Sequence, residues 1–138
     1  MIKKSRAREQ ALQVLYFIDM TGTLAEDAMK LFHAHFETKD ADADFAEELV
    51  REVSEKLEEI DTLITAKLHD WKLSRSSRVD RNILRIGTYE VRFCRDVPGA
   101  IILDEAIELG KKYGDTKSSS FINGVLDQIA RQERGANL

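Results

Sequence analysis

Apolar residues recur along this chain at helical intervals, and no stretch alternates long enough to predict a strand. Ala7, Ala11, Leu15 and Ile18 follow one another at spacings of four, four and three, which predicts a first helix capped by Ser5 and ending near Asp19. Ala28, Leu31, Phe32 and Phe36 mark one side of a second helix from Leu24 to Phe36. A long pattern from Ala43 to His69 carries Phe45, Leu49, Val53 and Leu57, then Ile60, Ile64 and Leu68. Its stripe slips by three residues between the halves, which predicts a bend near Glu58. The stretch WKLSRSS, residues 71–77, reads as a hinge, after which Ser77 caps a helix from Arg78 to Cys94. Pro98 and Gly99 make the next turn. A helix then runs from Ala100 to Tyr113, stopped by Gly114 as a left-handed residue. A last helix, from Thr116–Ser118 to Gln132, turns Phe121, Val125 and Ile129 inward. The reading is all-α, six or seven helices in two packed three-helix subdomains, residues 1–72 and 73–138.

Composition supports this picture. One proline and seven glycines in 138 residues leave room for long helices. The single cysteine, Cys94, cannot form an internal disulfide, and a small buried thiol is expected in a reducing cytoplasm. The opening apolar run is short, broken by Gln13, and does not read as a signal peptide or a membrane span.

Charge changes the picture more. The chain is acidic, −4 overall, yet Lys3, Lys4, Arg6 and Arg8 stand in its first eight residues with no acid among them. Residues 37–61 hold eleven acids against Lys39, Arg51 and Lys56, so the acidic excess sits on one helical stretch. The basic start is therefore compatible with a polyanion partner; on charge alone it is equally a solubilising terminus. A second basic feature is a stripe of Arg78, Arg81, Arg85 and Arg92, within an arc of about 60° on one helix. Four clustered guanidiniums imply either an anionic partner or acidic neighbours within the fold.

Three stretches read together carry a resemblance: SRAREQALQVLY at the start, SRVDRNILRIGTYEVRFCRDVPGAIILDEAIELGKKYG in the middle and SSSFINGVLDQIA near the end. In this order and spacing they resemble the transcription antitermination factor NusB family. The resemblance implies a compact all-helical protein that binds boxA RNA of ribosomal RNA leaders together with the ribosomal protein NusE. It also implies joining an RNA polymerase antitermination complex, with no catalysis and no cofactor. Carried over by position, it assigns RNA contact to Lys3, Lys4, Arg6 and Arg8, with Ser5 standing where relatives often keep another arginine. It assigns a second RNA patch to Lys117 through Phe121, including Ser118 and Ser120. A helix N-terminus suits phosphate, and Phe121 either offers a face to a splayed base or packs inward with Val125. Tyr16 and Asp80 fall on the surface that the resemblance gives to NusE, Tyr16 being equally compatible with burial. Asp80 lies off the arginine stripe and is available to a basic group of a partner. Asn123 and Gly124 read as structural, the glycine allowing a neighbouring helix to come close.

Nothing in the sequence points to catalysis or a metal. His33 and His35 point different ways on a helix, His69 is remote, and no glycine-rich phosphate loop is present. Asp104, Glu105 and Glu108 are explained as acids in the first turns of a helix. Two rival readings stay open: a homodimer or protein-only adaptor that buries the basic arm, and an accessory domain of an RNA methyltransferase. The absence of a methyl-donor-binding domain before Leu138 counts against the latter.

Overall fold

The computed structural model describes residues 4–33, 40–68 and 73–135. These residues form helices α1 (Ser5–Thr21), α2 (Ala25–His33), α3 (Asp40–Glu55), α4 (Leu57–Thr65), α5 (Arg78–Phe93), α6 (Gly99–Tyr113) and α7 (Ser118–Arg134), with a 3₁₀ turn over Leu73–Arg75. The fold is all-helical. One group packs α1, α2 and α3 together, the other α5, α6 and α7. The groups meet where α1 lies along α5, and α4 leans on α5 and α7 more than on α3. The buried apolar residues form one cluster that runs through both groups, from Leu15 and Leu49 to Ile83, Ile102 and Ile129.

Local chemistry explains most boundaries. Ser77 caps α5 as expected, its hydroxyl accepting the Asp80 amide at 3.0 Å. Ser5 does not cap α1. The capping position is Lys4 in a left-handed conformation (φ 55°), and Ser5 is the first helical residue, its hydroxyl donating to Glu105. Gly22, at φ 75°, ends α1 two residues beyond the expected point. The expected bend in the third helix is a break at Lys56 (φ −102°, ψ 19°), but hydrogen bonds on either side keep the chain helix-like. The Lys56 amide bonds the Glu52 carbonyl and the Ile60 amide bonds that of Lys56, each at 2.9 Å.

Several packing expectations are corrected. Leu31 is 53% exposed, and Met29 takes the inward place with Ala28; Phe36 lies outside the described residues. Gly114 is extended (φ −92°, ψ −169°), not left-handed. What requires glycine there is space, because a Cβ would collide with the Ser118 side chain. Among the described residues nothing lies within 4 Å of where a Gly124 Cβ would stand, and Asn123 is exposed. The close helix approach is made by Gly87, where an added Cβ would stand 2.7 Å from Leu126 Cδ2.

Candidate nucleic-acid and partner interface

The basic start divides by burial. Arg6 is exposed, Lys4 is half-buried with its ammonium 4.4 Å from the centre of the Phe45 ring, and Lys3 lies outside the described residues. Arg8 is the departure from expectation. It is 3% exposed, on the same side of α1 as Leu12 and Leu15, and its guanidinium faces the second group of helices. Its Nε and Nη2 donate to the two oxygens of Glu90 at 2.9 and 2.7 Å, and its Nη1 donates to Glu105 at 3.1 Å. A desolvated charge is tolerable only when paired and hydrogen-bonded. Burial alone would loosen the Arg8 proton, but the hydrogen bonds and fields of Glu90 and Glu105 outweigh it and hold the charge more firmly than usual. Arg8 thus fixes where the arm begins, and its donors face acids of the fold instead of solvent. Glu105 is correspondingly more than an acid suited to a helix dipole.

The tip of α7 divides in the same way. Lys117 and Ser120 are exposed, and Phe121 is half-buried against the core. Ser118 is buried, its hydroxyl accepting the Asp115 amide at 2.9 Å, which places it in the turn and away from solvent. The first amides of the tip are also taken. Lys117 N–H donates to the Asp115 carboxylate at 2.8 Å, and Ser118 N–H to the Asp115 carbonyl at 3.2 Å.

Helix α6 joins the two places. One flank receives α1, through Ser5 on Glu105 and Glu9 on Lys112. The other flank receives α7, where the Ser119 hydroxyl donates to the Ile107 carbonyl at 3.1 Å and Ile122 and Ser119 close on Gly110. Between the flanks α6 exposes Asp104, Glu108 and Lys111, and Lys112 is exposed at the edge of the α1 flank.

Further along α1, Leu12, Gln13, Tyr16, Phe32, Val79 and Tyr113 line an apolar surface groove. Tyr16 is half-buried in it. Asp80, next to Val79, is 8% exposed, and its Oδ1 has no hydrogen-bond partner among the described residues; the Ser76 hydroxyl close by in sequence is in the same condition. Asp80 is therefore less open than expected, yet it keeps an unused acceptor.

The arginine stripe finds its anions inside the fold. Arg81 bonds Asp19 through Nε at 2.6 Å and Nη2 at 2.9 Å, and Arg85 bonds Asp61 at 2.8 and 2.9 Å. Arg92 bonds Glu59 and Glu133, and Arg78 is exposed. Burial would raise the Asp19 pKa, but hydrogen bonds from Arg81 and Asn82 and the charges of Arg81 and Arg85 bring it below the usual carboxylate range.

The residues that sequence reasoning missed are Glu90, which pairs with Arg8, and Phe45, which receives Lys4. Glu90 does carry a signal, since it falls on the inward face of α5 seven positions after Ile83, where a charge demands a partner.

An all-helical fold in two groups, with an apolar groove lined from α1 by Leu12, Gln13 and Tyr16 and closed by Phe32, Val79 and Tyr113, is the class of structure these features define. A family model described as the NusB family matches residues 5–131. The chain belongs to the NusB family. It is similar to the transcription antitermination protein NusB of Myxococcus xanthus (strain DK1622), 45% identical over 127 residues that cover 89% of this chain and 91% of that protein. The corresponding protein of Geobacillus kaustophilus (strain HTA426) is 46% identical, covering 93% of this chain and 95% of its own. Among solved structures, T. maritima NusB superposes with a TM-score of 0.86 at 34% identity, covering 94% of this chain and 92% of that one. A structure of antitermination factors NusB and NusE in complex with dsRNA gives 0.84 at 32% identity, covering 96% and 99%.

Proposed function

We propose that this protein binds boxA-type RNA of ribosomal RNA leaders together with a NusE-like partner, and helps an RNA polymerase complex pass terminators without a catalytic step of its own. The observation that carries the reading is the position of α6, with the first turn of α1 on one flank and the first turn of α7 on the other. Lys4, Arg6, Lys117 and Ser120 are the RNA contacts, and Lys3 is included with them. Phe121 presents what it exposes to a base. Arg8 and Ser118 serve by position, one locking the arm and the other the turn before α7. The partner occupies the groove of Tyr16 and Val79, where the unused oxygen of Asp80 accepts a basic or amide donor. Residues 1–72 and 73–138 act as the two subdomains, with α4 shared between them. The site of action is the cytoplasm; among the described residues no helix is long and apolar enough to cross a membrane.

The test is a titration of fluorescently labelled boxA RNA, with and without the NusE partner, across a range of salt. Replacing Lys4, Arg6 and Lys117 by alanine should weaken binding and lower the salt slope by about 0.7 for each phosphate no longer neutralised. Asp80→Asn should leave binding of RNA alone unchanged and weaken recruitment of the partner. Retained RNA affinity in the triple variant would leave the arm and tip without an RNA role and favour a protein-only adaptor.

A further inference from the structure

We infer that Lys111 and Lys112, at the end of α6, are the bridge over which an RNA strand passes from the arm to the tip of α7, and that Glu9 and Glu108 hold them when no RNA is bound. The inference rests on the RNA-binding reading above and adds residues and a path to it.

The geometry of α6 sets the path. At 100° per residue, Glu105 and Lys112 lie about 20° apart and face α1, while Ile107 and Gly110 lie on a separate flank, about 60° apart, and face α7. A strand that touches both flanks must cross the exposed ridge between them. That ridge is acidic in its earlier part, at Asp104 and Glu108, and cationic only in its last turn. Phosphates are repelled from the first part and drawn to the second. Lys111 leans toward the α7 flank and Lys112 toward the α1 flank, so the two ammonium groups span the ridge.

Both lysines are exposed and already paired with acids on the same surface. Lys112 Nζ meets Glu9 Oε1, with its side chain 60% exposed, and Lys111 Nζ meets Glu108 Oε1 at 3.4 Å. The Lys111–Glu108 pair is exposed on both sides, and in the other the exposed Lys112 meets a half-buried Glu9. Surface pairs of this kind contribute little to stability and exchange partners readily. Hydrogen bonding to Glu9 comes first among the causes that keep the Lys112 ammonium firmly charged. A phosphate can replace each carboxylate, so Glu9 and Glu108 compete with RNA for the same cations. Glu9 sits one turn after Ser5, on the same helix as Arg6, and Tyr113, the next residue after Lys112, lines the partner groove. The bridge therefore lies at the junction of the RNA edge and the partner groove.

The experiment uses the full chain with its NusE partner and a boxA RNA, and compares Lys111→Gln/Lys112→Gln with Glu9→Gln/Glu108→Gln. The lysine variant should leave two phosphates without a cation and shed about 1.4 of salt slope, so wild type should outbind it by about sevenfold more at 50 mM salt than at 200 mM. The glutamate variant should bind more tightly than wild type. Thermal melting of both variants should match wild type, since the pairs are on the surface. Unchanged affinity and slope in the lysine variant, with binding still weakened by Lys4, Arg6 and Lys117 substitution, overturns the bridge and leaves the RNA reading standing. Failure of wild type to bind the RNA at all overturns both.

Discussion

Arg8 ties the first turn of α1 to α5 and α6 through Glu90 and Glu105, and its neighbours show how unevenly one side chain can weigh. Arg8→Ala leaves Glu90, 1% exposed, with a buried carboxylate stripped of the guanidinium it bonds, and should cost about 3–5 kcal/mol in urea denaturation. Asp19 supplies a pH prediction of definite sign. Its folded pKa lies below the ordinary value of 3.8, so the folded state holds fewer protons in acid than the unfolded chain. The stability it contributes is present above that value and is lost as pH falls through the folded pKa. Asp19→Asn should lower stability at neutral pH and flatten the acid limb of the stability curve, as followed by circular dichroism. Cys94 is pushed up to about 11, first by burial and then by the charge of Glu90, so its thiol should react with a maleimide or iodoacetamide more slowly in the folded chain than after unfolding.

Helix ends and helix crossings respond to substitution on a different basis. Ser77→Ala removes the side-chain acceptor at the start of α5 and should cost about 1 kcal/mol. Two glycines in helices should behave oppositely. Gly87→Ala drives a Cβ into Leu126 and should cost about 1–3 kcal/mol through overpacking. Gly124→Ala meets nothing and should stabilise α7 by up to about 1 kcal/mol, because alanine restricts the unfolded chain and suits a helix interior. Thermal melting of the pair distinguishes a glycine needed for packing from one that packing does not require.

For the whole molecule, the junction of the two helical groups is also where the arm is anchored. Arg8→Gln should reduce RNA affinity by letting the arm move, yet leave the salt slope at its wild-type value, since the Arg8 guanidinium is engaged by Glu90 and Glu105. A fall in slope equal to that of Arg6→Ala would instead place Arg8 on the RNA.

Helical periodicity, the Ser77 cap and the sorting of Leu49, Ile60, Val125 and Ile129 into the core all follow from local order, because spacing alone decides which residues share a face. The turn expected at Pro98 and Gly99 instead lies just before them, and they open α6. The arm, the tip and the groove residues were legible only as types at positions. Which of them meet solvent was decided by packing: Arg8 and Arg6 are equally basic and two residues apart, but one faces Glu90 across the fold and the other faces water. The same holds for Ser118 against Ser120, and for Gly124 against Gly87. A side chain's neighbours from distant segments are not encoded in its own stretch of chain, and burial, pairing and open space exist only once those segments have come together.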